Sequence, residues 1–140
     1  MKVNIEEYTD DGEDQVVEVH IDRWDTWSMD YTLAHIVLPM LRQLKETKHG
    51  SPDVDNEDVP EELRPEPEWY EKYSKDGETD PDFFKRWDWV LDEMIYAFDC
   101  KANKDDVFMR FKDRKEIEAE QDRISNGFRL FGKYYESLWD

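Results

Sequence analysis

The chain has 140 residues, and its 37 acidic and 19 basic side chains give a formal net charge of −18 at pH 7. Such a surface repels nucleic acids and anionic membranes, which excludes both as direct binding partners. The single cysteine, Cys100, allows no internal disulfide, and no apolar run is long enough to cross a bilayer. The first ten residues lack the pattern of a signal peptide, so we expect a cytosolic protein.

Composition places the chain between disordered and folded proteins. Its mean hydropathy of −1.01 and its charge are typical of disorder. However, 14% of its residues are aromatic, and disordered chains are poor in aromatic side chains. The length suits one domain, residues 1–140, that exposes roughly 7,700 Å² when folded. We therefore expect a single folded domain with a thin, aromatic-rich core and an acidic surface.

Residues 1–22 predict a β-hairpin with strands in Lys2–Tyr8 and Gln15–Ile21, joined by a turn around Gly12. Apolar residues alternate with polar ones from Val17 to Ile21, which is the period of a half-buried strand. An isolated hairpin is only marginally stable in water. This one must therefore pack on helices or pair with another copy of the chain.

The first helix is predicted over residues 28–49, where apolar side chains recur at helical spacing. Pro39 lies inside this run and removes one backbone hydrogen bond, so we expect a kink near His35. Gly50 and the proline that follows at position 52 predict the end of the helix.

The second helix is predicted over residues 81–99, with Asp80 as its cap and Pro81 at its first position. Apolar residues follow the helical repeat more regularly here than elsewhere in the chain, which makes this the main core helix. The predicted core stripe comprises Phe83, Trp87, Val90, Leu91, Met94 and Phe98.

The third helical region is predicted over residues 105–139. Its apolar residues are spaced like a heptad seam, which favours docking on the domain or pairing with another chain. Gly127 and Gly132 weaken this helix, and the sequence leaves open whether it splits there. The predicted seam comprises Ile117, Ile124, Phe128, Phe131, Tyr135 and Leu138, with Gln121 at one seam position.

Residues 53–82 form an acidic segment with 13 carboxylates and three cations, and they carry −10 of the net charge. A calcium-binding loop is disfavoured, because Asp58 stands where an EF-hand needs glycine and Arg64 where it needs glutamate. We instead expect residues 53–80 to be a long acidic surface loop between the first two helices. The side chains expected to hold the loop are Trp69, Tyr70 and Tyr73.

Catalytic and metal-binding motifs are missing from the sequence. The three histidines share no ligand spacing such as HxxxH, and no phosphate-binding or nucleophile motif is present. Carboxylates are so abundant that no pair stands out as an acid–base couple. We therefore predict a non-enzymatic protein without catalytic residues, metal ligands or cofactors.

The scarce cations supply the candidate binding residues. Basic residues gather at the end of the first helix, and Arg86 is followed closely by Trp87 and Trp89, a combination that can bind a phosphate or a nucleobase. The favoured alternative is structural: the lysines compensate the helix dipole, and Arg86 pairs with Glu93 or Asp82. The candidate ligand-binding residues are Arg86, Trp89, Lys45, Lys48, His49 and Trp27.

Two stretches carry a resemblance to a known group of proteins. Residues 24–52 are WDTWSMDYTLAHIVLPMLRQLKETKHGSP, and residues 84–98 are FKRWDWVLDEMIYAF. Both resemble small acidic proteins of tailed bacteriophages. The resemblance covers about half of the chain and implies a phage gene product acting in the host bacterial cytoplasm, or a virion part. It implies no catalytic residues.

Together these observations predict an α+β homo-oligomer, with an N-terminal hairpin on a bundle of about three main helices. The favoured function is counter-defence by stoichiometric sequestration of a host defence protein or a small nucleotide signal. One alternative is an acidic DNA mimic that inhibits a host nuclease or CRISPR effector. The other is a minor virion or assembly component.

Overall fold

The computed structural model describes residues 1–7, 15–69, 78–103 and 107–140 of the chain. It confirms the α+β class, with an N-terminal hairpin followed by three main helices. The elements are β1 (Lys2–Ile5), β2 (Val17–His20), α1 (Met29–Thr47), α2 (Phe83–Ala102), a short α3 (Val107–Arg110) and α4 (Arg114–Lys133). The central helix is α2, since α1 and α4 both pack against it.

The hairpin pairs β1 and β2 in antiparallel register, with Val3 opposite Val19 and Ile5 opposite Val17. The predicted strands are thus confirmed, whereas the prediction that their apolar face is buried is wrong. Val3 is 44% and Val17 56% exposed, and no strand residue is buried. The apolar core faces of the helices pack against one another, and the apolar face of the hairpin stays exposed. The predicted turn around Gly12 lies outside the described residues.

The predicted first helix is confirmed as α1. One face of α1 buries Ala34, Leu38 and Leu41 in the core. Pro39 lies within the helix on an exposed side without ending it. The core contact with α2 therefore runs along one face of a continuous helix.

The core stripe of the second helix is confirmed from Trp87 onward, since Trp87, Val90, Leu91, Met94 and Phe98 are all buried in α2. Phe83, its first predicted member, is only half-buried and lies outside the core. Its predicted start is wrong: the helix begins at Phe83 and is preceded by Asp82. The cap position falls to Asp82, whose side chain makes no capping bond. The Asp80 carboxylate instead accepts from the backbone N–H of Asp82, within the turn that precedes the helix, and from Arg86.

The third helical region is interrupted before α4 rather than at its glycines. Gly127 is buried inside α4, where an added Cβ would lie 2.5 Å from the Glu93 carbonyl oxygen and 2.5 Å from the Cβ of Ala97. This glycine therefore permits the close approach of α4 to α2. The contact also rotates the buried face: Leu130 and Tyr134 are buried, whereas Tyr135 of the predicted seam is exposed.

The acidic segment is not wholly a solvated loop. Val54 and Val59 are buried in the core on either side of a short 3-10 turn, Asn56–Asp58, and a second such turn, Glu61–Leu63, follows. Asp58 is buried as well. The first half of the predicted loop therefore docks on the helices. The expected anchors Tyr70 and Tyr73 lie outside the described residues, and Trp69 is half-buried.

One copy of the chain exposes 10725 Å², well above the roughly 7,700 Å² expected for a folded monomer of this mass. None of the helices in the described parts of the chain is long and apolar enough to cross a membrane. Large apolar side chains are exposed on the hairpin and along α1, among them Val3, Ile5, Leu33 and Met40.

Candidate functional site

Helix α1 carries two apolar faces. Ion pairs from Lys45 to Asp92 and from Lys48 to Asp88 hold its core face against α2. The opposite face follows the i, i+4, i+7, i+11 spacing of one helix side. Its members are Met29, Leu33, Ile36 and Met40. Met40 is 64% exposed, so the described part of the chain leaves this second face largely uncovered.

An apolar groove lies between the second half of α1 and the segment that ends α4. Its volume is about 1020 Å³. This size is typical of ligand-binding sites, and it also suits the apolar face of a short helix. The residues that line it are Val37, Pro39, Met40, Leu41, Gln43, Leu44, Thr47, Phe131, Tyr135, Leu138 and Asp140.

The wall opposite α1 is built by the end of α4 and the chain after it. A 3-10 turn, Tyr135–Ser137, follows α4 and brings Leu138 back towards the core. Phe131 packs edge-on against Phe98 of α2, with ring centroids 4.8 Å apart, and against Tyr135 at 5.7 Å. These aromatic contacts fix the wall, so the groove is formed before any ligand binds.

Asp140, one of the residues that line the groove, is in contact with His49. The backbone N–H of His49 donates to the Asp140 carboxylate at 2.6 Å, and the imidazole Nδ1 lies 3.1 Å from it. The backbone hydrogen bond holds the pKa of the Asp140 carboxyl below its ordinary value. The groove therefore combines a mostly apolar lining with one carboxylate.

The acidic segment is fixed to α4 at Asp58. Its carboxylate accepts hydrogen bonds from Arg129 at 2.6 Å and from the Tyr134 phenol at 2.7 Å, and it pairs with Lys133 at 2.6 Å. Burial by itself would raise the pKa of Asp58, but these three donors outweigh it and hold the pKa below its ordinary value. Burial and the bond to Asp58 raise the pKa of Tyr134 to about 12.

Asp55, Glu57 and Asp58 form the one carboxylate cluster of metal-binding size among the described residues. Lys133 already occupies it, with its Nζ 2.7 Å from Asp55 and 3.3 Å from Glu57. The ammonium group takes the place that a cation would fill. The cluster therefore acts as a structural connection between the acidic segment and α4.

Arg86, the first of the candidate binding residues, is only 2% exposed. Its guanidinium donates to the Asp80 carboxylate at 2.8 Å and to the Leu63 carbonyl at 3.0 Å. Its ion-pair partner is Asp80 rather than the expected Glu93 or Asp82, because Glu93 pairs with Arg123 and Asp82 with Lys85. Arg86 thereby connects the end of the acidic segment to α2.

The other candidate residues do not gather around Arg86. Lys45 and Lys48 are engaged by carboxylates of α2, and Trp89 is half-buried against the core. Trp27 is 80% exposed before the start of α1, and Met29 at that start lies about 24 Å along the helix from Lys45 at 1.5 Å per residue. His49 alone adjoins the groove, through Asp140. The ligand-binding role of all six residues stays a prediction.

The sequence identified most groove residues without placing them together. Leu44 and Met40 belong to the apolar repeat of the first helix, and Phe131, Tyr135 and Leu138 to the C-terminal seam. The signal in the sequence was an excess of apolar residues, since the first helix and the C-terminal segment each carry more of them than one core-facing side needs. Comparisons with protein families, with curated proteins and with solved structures found no match for this chain.

Proposed function

We propose that the chain is a non-enzymatic counter-defence protein of phage origin, which acts in the host bacterial cytoplasm by binding and sequestering a host defence protein. The groove between α1 and the end of α4 carries this proposal. It is preformed, mostly apolar and large enough for one helical face of a partner. A catalyst would instead need convergent reactive groups, and the groove offers an apolar floor with one carboxylate.

The charge around the groove defines the chemistry of the partner. Asp140 lines the groove, Glu46 and Glu136 are exposed on the elements that border it, and the chain carries −18 overall. Four basic residues on or next to the same elements are each engaged by a carboxylate of the chain: Arg42, Lys45, Lys48 and Lys133. None of the described lining residues is a lysine or arginine. The partner is therefore an amphipathic helix with an apolar face for the floor and lysine or arginine flanking it.

A protein target is favoured over a nucleotide signal because of the candidate cations. Arg86, Lys45 and Lys48 are each engaged by a carboxylate of the same chain. Binding a phosphate would require breaking these ion pairs and leaving buried Asp80 uncompensated. An apolar floor also contributes little to binding a nucleotide phosphate, whereas it suits a helix.

The proposal is tested first in bacteria that each carry one defined defence system. The chain is expressed from a plasmid, and the plating efficiency of a phage sensitive to that system is measured. We expect expression to raise plating at least tenfold against one system. Met40→Gln removes apolar contact from the groove and should abolish the gain, whereas Met29→Gln, the same change outside the groove, should preserve it.

The stoichiometry then separates binding from catalysis. The purified target is titrated with the chain, and its residual activity is followed. Sequestration predicts a linear loss that ends near one chain per target site. Complete inactivation at a small fraction of one equivalent would mean enzymatic action, and no gain of plating against any system would end the counter-defence proposal.

A further inference from the structure

The hairpin presents one wholly apolar face that nothing in the described residues covers. Because cross-strand partners share a face, Val3, Val19, Ile5 and Val17 lie together on one side. Continuing the alternation adds Met1 and Ile21 at the open end of the hairpin, and all six are between 42% and 56% exposed. The other face is polar, with Lys2, Asn4, Glu18 and His20.

We propose that this apolar face is the interface of a homodimer, in which the same face of a second copy covers it. A two-stranded hairpin is only marginally stable in water, so the fold itself requires a cover. The ion pair from the Met1 amine to Asp25, at 2.8 Å, fixes its open end and covers neither face. A second copy supplies a matching flat aliphatic face by two-fold symmetry.

The area of this surface approaches what a stable dimer needs. The exposed half of an aliphatic side chain offers roughly 50–80 Å² of apolar surface, so the six side chains together offer roughly 300–480 Å² per copy. Trp24 and Trp27 are exposed in and beside the turn that follows β2, which the ion pair from the Met1 amine to Asp25 holds at the open end of the hairpin, and each ring that joins the interface adds on the order of 100–200 Å². The 800 Å² or so that each partner buries in a standard interface is therefore reached when both rings join the face.

The distribution of charge also favours this surface for self-association. Two chains of −18 repel each other wherever their acidic surfaces meet. The six residues of the apolar hairpin face carry no ionisable side chain. Face-to-face packing of two ribbons, about 10 Å apart, excludes water from this face without bringing carboxylates of the strands into contact. This inference is independent of the groove and of the counter-defence proposal.

The test is sedimentation equilibrium of the whole chain and of two adjacent variants. We expect the wild type to sediment at twice 17.0 kDa at micromolar concentration. Val3→Lys places a charge on the apolar face and should weaken dimerisation at least tenfold, while Asn4→Lys places the same charge on the polar face and should leave the dimer intact. Since both changes lower the net negative charge equally, general repulsion cannot explain a difference.

A second measurement locates the interface without any variant. Chains with ¹³C-labelled valine are mixed with unlabelled chains, and NOEs between copies are recorded. Contacts from the methyl groups of Val3, Val17 and Val19 to the other copy are expected. A monomeric wild type, which would leave the face for a different protein, or NOEs that arise from another surface, would each overturn the proposal.

Discussion

The carboxylate of Asp58 accepts a 2.7 Å hydrogen bond from the phenol of Tyr134, 76 residues further along the chain. The same phenol accepts a bond from the backbone N–H of Asp55 at 3.0 Å. Tyr134 also packs its ring against Trp87 in the core, with centroids 5.7 Å apart. One side chain thus joins the acidic segment, α4 and α2, and it holds the end of α4 where the groove wall begins.

Removing the Asp58 charge should therefore destabilise the fold. In Asp58→Asn, Lys133 and Arg129 lose their buried partner, and we expect the free energy of unfolding in urea to fall by about 2 kcal/mol. Asp53→Asn changes an exposed residue of the same segment and should change stability by less than about 0.5 kcal/mol. Equal effects of the two changes would show that Asp58 has no special role.

Low pH should weaken the contacts that the carboxylates of Asp58 and Asp80 make. The pKa values of Asp58 and Asp80 are held below their ordinary values in the folded state, so both carboxylates bind protons more readily when the chain is unfolded. Their stabilising contribution is present above about pH 4, the ordinary range of aspartate, and is lost as the pH falls through the lowered folded values. Urea unfolding between pH 7 and pH 2.5 should show this loss.

Asp58→Asn provides the control for the pH profile. Because this variant lacks one of the two groups, its stability should decline less steeply below pH 4 than that of the wild type. The two profiles should therefore converge in acid. Parallel profiles would mean that the acid sensitivity arises from other carboxylates.

The approach of α4 to α2 should depend on the glycine at position 127. Gly127→Ala drives a Cβ into the Glu93 carbonyl and the Ala97 side chain, and we expect a loss of about 1–3 kcal/mol in urea unfolding. Gly132→Ala adds its Cβ in open space at an exposed helical position, so it should gain up to about 1 kcal/mol. If both variants behaved alike, the close helix contact would be wrong.

The role of Arg86 can be separated from ligand binding. Arg86→Lys loses the double contact with Asp80 and the bond to the Leu63 carbonyl, so we expect a loss of about 2 kcal/mol in urea. Arg114→Lys, in an exposed ion pair with Glu118, should cost less than about 0.5 kcal/mol. A melting temperature of the wild type that rises with a cyclic nucleotide, but not in Arg86→Lys, would support the nucleotide signal instead.

Local patterns in the sequence predicted the elements well. Strict alternation from Val17 to Ile21 defined β2, and the repeat from Trp87 to Phe98 defined the buried face of α2. Both rest on neighbours within a few residues, which periodicity captures. The seam of the C-terminal helix was predicted in part: Phe128, Phe131 and Leu138 pack against the core, whereas Tyr135 is exposed. The sequence missed the buried Gly127, because its contact with Glu93 spans 34 positions of the chain.

The candidate site was harder to predict for a related reason. The count of charges predicted that the whole acidic segment is solvated. In the structure, however, Val54, Asp58 and Val59 of this segment are buried. Periodicity identifies the apolar residues of each helix. It does not identify which of the exposed apolar residues of two different helices border the same groove. The groove between Met40 and Leu138 is set by the path of the chain after α4, which no local signal encodes.

The central claim is that the groove binds a basic amphipathic helix through its apolar floor. The most direct test is fluorescence anisotropy of a labelled 18-residue leucine–lysine amphipathic peptide with the purified chain, in 0.15 M and 0.5 M salt. We predict binding that persists at high salt and weakens about tenfold, or 1.4 kcal/mol, in Met40→Gln but not in Met29→Gln. Binding that disappears at 0.5 M salt, or that is equal in both variants, would contradict the claim and favour an acidic surface that mimics DNA.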